Sequence, residues 1–132
     1  MQRYLGRHSE VLYALLRVMA GLMFAQHGAQ KILGVLGGQK VPLVSLFGLG
    51  GLIELVGGLL IAVGLFTSWA AFICAGEMAV AYFMVHFPQG FWPVQNKGEL
   101  AVLYCFVFLY MASRGGGRYS VDASMRGTAA RP

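Results

Sequence analysis

The chain has 132 residues, of which 58% are hydrophobic and 11% charged, and its mean hydropathy is +0.66. A water-soluble domain carries roughly twice that charged fraction, so the composition argues against a soluble enzyme and points to lipid as the solvent. Ten Lys and Arg against five Asp and Glu give a net charge of +5, but the arginines gather at the chain ends, which reads as a topology signal and argues against nucleic acid as a partner.

Taken in chain order, the apolar segments predict spans over residues 11–33, 44–66, 68–87 and 98–114. The first three approach the ~20 residues that cross a hydrocarbon core, and the fourth does so only with Lys97, Glu99 and Arg114 at the interfaces. A secretory signal would use Arg3 and Arg7, but its apolar run would contain Arg17, and no small-residue cleavage site follows at the right distance. Gly34, Gly37, Gly38 and Pro42 break the chain in a first loop, 34–43, and Pro88, Gly90, Pro93 and Gly98 in a third, 88–98. Between them Thr67-Ser68 reads as a tight turn.

Arg3 and Arg7 precede the first span, and Arg114, Arg118, Arg126 and Arg131 follow the fourth. An even number of spans returns both termini to one side, which the positive-inside rule makes the cytoplasm. The expected fold is therefore all-α: a polytopic membrane four-helix bundle with N and C termini cytoplasmic. One domain fills residues 1–132, and its tail, 115–132, is rich in Gly, Ser, Ala and Arg and expected to be partly disordered apart from the segment nearest the membrane. Phe91 and Trp92 in the third loop are residue types that settle among lipid headgroups. Cys74 and Cys105 lie inside the third and fourth spans and read as inert packing; they could bridge only if those faces meet.

Ionisable side chains inside spans are costly and usually face the bundle interior. A rise of about 1.5 Å per residue places Glu54 and Glu77 near mid-membrane and Arg17 toward the cytoplasmic side. Gln26, His27, Gln30, Lys31, His86 and Glu99 form an outer layer. Gly50, Gly51, Gly57 and Gly58 share the face of Glu54, and Gly50-Glu54-Gly58 has the spacing of a small-residue packing seam. Arg17 is the natural ion-pair candidate for Glu54, and because Lys31 sits near the outer interface one of the two deep carboxylates, Glu54 or Glu77, is left without a partner; it would keep its proton and serve as a relay or as a donor to a ligand carbonyl. On an ideal helix His86 lies opposite Glu77 and belongs to the outer group. His27, His86 and the nearby glutamates lack an HxxxH or ExxH element, so no metal is assigned.

Four stretches together carry a resemblance. RVMAGLMFAQHGAQKILG (17–34), GGLIELVGG (50–58), AYFMVHFPQGFWPVQNKGELAVLY (81–104) and GGGRYSVD (115–122) resemble, in order, the Arg/HG/K helix, the glycine-flanked glutamate, the His…FWP…N-GE block and the closing SxD element of the DoxX family. Tyr119 stands where a Trp is common in that family. The resemblance implies a bacterial inner-membrane protein with four helices, similar to the DoxD-type membrane subunit of thiosulfate:quinone oxidoreductase. It carries over Arg17, His27, Lys31, His86, Asn96 and Glu99 as ligand-binding positions, Glu54 as a second-helix carboxylate and Ser120 and Asp122 as a cytoplasmic closing element. Glu77 is added by depth and charge alone, and with Glu54 it is read as exchanging protons.

Three functions stay open. The first is a quinone-linked redox subunit whose electrons come from a soluble or membrane redox partner, since the sequence has no flavin, haem or iron–sulfur motif. The second is a non-catalytic scaffold, embedded in the bilayer, that docks soluble partners. The third is a small-solute or proton pathway, which would need a homo-oligomer.

Overall fold

The computed structural model describes residues 1–127, so Arg131 and the rest of 128–132 lie outside the described residues. Every regular element in it is a helix: α1 (Gln2–Leu5), a 3-10 turn (Gly6–His8), α2 (Ser9–Leu33), α3 (Leu46–Val63), α4 (Thr67–Ala81), α5 (Pro93–Asn96), α6 (Glu99–Arg114) and α7 (Val121–Arg126). A π-helical turn (Tyr82–His86) and a 3-10 turn (Phe87–Gln89) extend α4. Three continuous helical stretches are long and apolar enough to cross a membrane: Gln2–Leu33, Leu46–Val63 and Thr67–Gln89. The 16 residues of α6 rise about 24 Å, short of a ~30 Å hydrocarbon core on their own.

In lipid a backbone must satisfy its own hydrogen bonds, which makes helix the economical state for such apolar segments. α3 shows how the ends are set. Ser45 caps its start, the hydroxyl oxygen accepting from Gly48 N at 3.0 Å. Its end closes on Gly64 at φ +77°, where Leu65 N and Gly64 N donate back to Leu60 O at 2.9 and 2.8 Å.

Backbone contact between α2 and α3 fixes the register that builds the site. A Cβ at Gly21 would stand 2.6 Å from Ala62 N and Gly58 O, and one at Gly58 2.6 Å from Ala25 N and Gly21 O. Gly28 lies equally tight against Leu55 N and Gly51 O. The two helices are therefore antiparallel, with small residues one heptad apart facing one another. The expected seam is corrected: it runs through Gly51 and Gly58, while Gly57 meets Cys74 Sγ on α4 and Gly50 lies in loose contact with two carboxyl groups.

The buried core draws Tyr13 and Phe24 from α2, Ile61 from α3, Cys74 from α4, and Tyr104, Phe108 and Met111 from α6. α3 packs on both α2 and α4, and α4 also packs on α6. Both cysteines are free thiols.

One end of the molecule is stitched shut by polar contacts. Arg17, 3% exposed, donates from Nε to Ile61 O (2.9 Å), from Nη1 to Gly116 O (2.6 Å), and from Nη2 to Ala62 O (3.3 Å) and Tyr119 O (2.9 Å). A cation thus meets the C-terminal carbonyls of α3, where the helix dipole is negative. Asp122 does the converse at the start of α4, accepting from Phe66 N (2.8 Å), Thr67 N (2.9 Å) and Thr67 Oγ1 (2.8 Å). The turn occupies 64–66, so Thr67 and Ser68, expected as the turn itself, open α4. Tyr13 Oη donates to Gly115 O at 2.6 Å, and Glu10 accepts from Arg114 Nη2 (2.7 Å) and Arg118 N (3.1 Å). The tail from 115 to 126 is consequently folded against the helix ends, and the rest of the stretch expected to be partly disordered, 128–132, lies outside the described residues.

Candidate functional site

At the other end, α2, α3, α4, the π turn and α6 surround a cavity of about 630 Å³. Its walls are largely apolar, with Leu49 and Ile53 from α3, Ile73 and Val80 from α4 and Leu100 from α6. Leu49, Ile73 and Val80 are also exposed on the outer surface, so the cavity wall continues into the apolar face of the helices.

The polar residues of this cavity come from six segments: α2, α3, α4, the π turn, the loop before α6, and α6. Lys31 Nζ lies 2.8 Å from Glu54 Oε2 and 3.0 Å from Oε1, and the carboxylate is 1% exposed. This corrects the expected Arg17–Glu54 pair. The register that sets Gly21 against Gly58 also sets Arg17 level with Ala62, about two turns from Glu54, whereas the lysine stem reaches back along α2 to it. Lys31 therefore belongs to the deep layer through its ammonium, although its backbone lies near the helix end.

Glu77 comes to Glu54 across Gly50. A Cβ placed on Gly50 would stand 3.8 Å from Glu77 Oε2 and 3.9 Å from Glu54 Oε2, so the two carboxyl groups converge over this glycine. Glu77 Oε1 is buried and has no hydrogen-bond partner. Two carboxyls then face one lysine, and like charges at such range are not both ionised without a second cation or a shared proton.

His86 also lines the cavity, correcting the reading that set it opposite Glu77. The ideal angle fails because the helix widens to a π turn at Tyr82–His86 just before Pro88. A proline ring clashes with the carbonyl four residues earlier, and the extra residue per turn relieves that clash while rotating the side chains beyond it. His86 Nδ1 lies 3.1 Å from Asn96 O, a carbonyl that can only accept, so Nδ1 carries the hydrogen and Nε2 is left free in the neutral ring. His27 reaches the cavity from α2, its ring edge-on to Tyr104 at 6.4 Å.

Arg17, Asn96 and Glu99, which the sequence groups with the ligand-binding positions, do not line this cavity. Arg17 is engaged by the carbonyls of the opposite end. Asn96 is fully buried and knots the third loop, its Nδ2 donating to Gly90 O (2.8 Å) and Tyr82 Oη (3.1 Å) while Oδ1 accepts from Gly98 N (2.8 Å). Glu99 is exposed in the first turn of α6. Among the described residues no three His, Cys, Asp or Glu converge as metal ligands.

Two cavity residues escape sequence reasoning. Lys97 lines the rim in a left-handed backbone conformation, φ +63°, that a non-glycine residue rarely adopts. Tyr104 is buried in an apolar span, and a tyrosine there reads as core; only its partnerless hydroxyl, visible in three dimensions, sets it apart.

The family model described as DoxX matches residues 12–87. An uncharacterized protein of Haemophilus influenzae (strain ATCC 51907 / DSM 11121 / KW20 / Rd) is similar, 39% identical over 125 residues that cover 89% of this chain and 93% of that protein. No solved structure matches. The family model covers Lys31, Glu54, Glu77 and His86 together with most of the three long apolar helical stretches, and the chain belongs to the DoxX family.

Proposed function

We propose that this chain is a multi-pass component of the bacterial inner membrane that binds a quinone, or a similar flat ring, in the cavity and exchanges protons with it through Glu77 and Glu54. The observation that carries this reading is the convergence of two carboxyl groups and one lysine over Gly50 in an otherwise apolar cavity. A volume of about 630 Å³ lies within the ordinary range of small-molecule sites, and the residues fit such a ring: apolar walls for its faces, few polar atoms for its oxygens. A quinone supplies reversible two-electron, two-proton chemistry. The residues of this chain bind and orient it, keep water out, and hold the proton at the Glu77 carboxyl beside the Lys31-paired Glu54. Electrons come from a soluble or membrane redox partner.

The topology belongs to the same reading. α6 completes a four-helix bundle, and both chain ends lie in the cytoplasm. Support comes from the contact of Glu10 with Arg114 and Arg118, which puts the start of α2 and the end of α6 at one end of the molecule, the end that carries the arginines. A scaffold that docks soluble partners is the second reading, favoured by the folded tail that presents Arg118 and Arg126 outward.

Native mass spectrometry of the protein extracted in its own lipid separates the two readings. The redox reading expects a co-purifying quinone that Glu77→Gln loses while the variant still accumulates in the membrane. A wild-type protein that is consistently free of quinone, and binds none when it is added, sinks that reading and leaves the scaffold.

A further inference from the structure

Among the described residues, two buried side-chain oxygens lack a hydrogen-bond partner, Glu77 Oε1 and Tyr104 Oη, and both residues line the same cavity. The carboxyl chemistry accounts for the first and leaves the second unexplained. Tyr104 is 5% exposed, and its ring is clamped. It stacks on Phe108 with centroids 5.4 Å apart and planes at 13°, leans on Phe24 at 5.1 Å, and meets the edge of His27 at 6.4 Å. A tyrosine has two side-chain torsions, and packing fixes both, so the hydroxyl cannot swing to another acceptor. A phenylalanine would complete the same aromatic stack without burying an idle O–H, which is a destabilising arrangement. The hydroxyl is therefore placed for a partner that enters the cavity.

We propose that Tyr104 donates its phenolic hydrogen bond to an oxygen of the cavity's ligand, with Glu77 as a second polar point. The site then selects ring molecules that carry carbonyl or hydroxyl oxygen over hydrocarbon rings of the same size. This deepens the reading of the cavity as a ligand site and rests on it. The charged and titratable groups that share the cavity are Lys31 and His27 from α2, Glu54 from α3, Glu77 from α4, His86 from the π turn, and Lys97. Glu54 is already held by Lys31, which leaves the Tyr104 hydroxyl as a donor not committed within the protein.

The test compares wild type and Tyr104→Phe in lipid nanodiscs, with decylubiquinone and decylbenzene as probes and thermal unfolding without probe as the control. The variant is expected to bind decylubiquinone about tenfold more weakly, to bind decylbenzene as wild type does, and to unfold at the same or a higher temperature. Equal decylubiquinone affinity in the two proteins overturns the role of Tyr104 and leaves the cavity reading standing. A variant that unfolds several degrees lower without probe shows that the hydroxyl has a partner within the protein, which also overturns it. Failure of wild type to bind either probe removes the cavity reading, and the assignment of Tyr104 falls with it.

Discussion

Lys31 holds both oxygens of the Glu54 carboxylate, at 2.8 and 3.0 Å, although 23 residues separate them and the lysine is 32% exposed while the glutamate is 1%. The pair bridges α2 and α3 in the same place where glycines bring their backbones together. Removing one member of a buried pair is worse than removing both, since a lone buried charge has nothing to offset its lost hydration. Lys31→Met is expected to destabilise the protein by about 3–5 kcal/mol, and the Lys31→Met/Glu54→Gln double variant to recover most of that loss. A double-mutant cycle of thermal unfolding in detergent or nanodiscs measures it, and additive losses would show that the pair is not coupled.

Gly28 and Gly50 look alike in sequence and differ in what a methyl group would meet. At Gly28 it would run into the α3 backbone at Leu55 and Gly51, which cannot move without parting the helices. At Gly50 the nearest atoms are 3.8–4.0 Å away, an ordinary contact. Gly28→Ala is expected to cost at least about 1–3 kcal/mol, and Gly50→Ala to be neutral or stabilising by up to about 1 kcal/mol through helix propensity. Membrane accumulation and unfolding temperature of the two variants check the contrast.

Asp122 gives the stitched end a pH dependence. Burial opposes its charge, but hydrogen bonds from Thr67 N–H, the Thr67 hydroxyl and Phe66 N–H prevail and hold the carboxyl below its usual range. A pKa lowered in the folded state stabilises fully above the unfolded value, near pH 4, and that contribution disappears as pH falls through the lower, folded value. Wild type is expected to lose stability on acidification below about pH 4 more steeply than Asp122→Asn. At neutral pH the variant should be less stable by about 1 kcal/mol, the usual worth of a helix cap. Parallel unfolding curves for the two proteins between pH 7 and pH 3 would contradict the assignment.

Much of the site was legible because intramembrane charge is rare. Glu54, Glu77, Lys31, His27 and His86 stand out against the apolar background, and all five line the cavity. Arg17 stood out for the same reason and does something else, because a one-dimensional reading sees a charge but not the helix terminus its guanidinium reaches. Asn96 was marked by its motif, and its role in knotting the third loop comes from three hydrogen bonds that no spacing rule predicts. Tyr104 was hidden, since an aromatic residue in a span has no signature until its hydroxyl is seen to be unpartnered.

The sequence by itself determined the solvent, the helical class and the family, because hydropathy over some 20 residues and the placement of glycine, proline and arginine are local properties of the chain. Tertiary structure alone decided which charges meet. The α2–α3 register, set by close backbone contact at Gly21, Gly28, Gly51 and Gly58, gives Glu54 to Lys31 and sends Arg17 to the carbonyls at the far end. The π turn before Pro88 brings His86 round to the cavity. Both outcomes depend on how one helix is phased against another, and a phase shift of a single residue turns a side chain by about 100°, from one wall of the cavity to another.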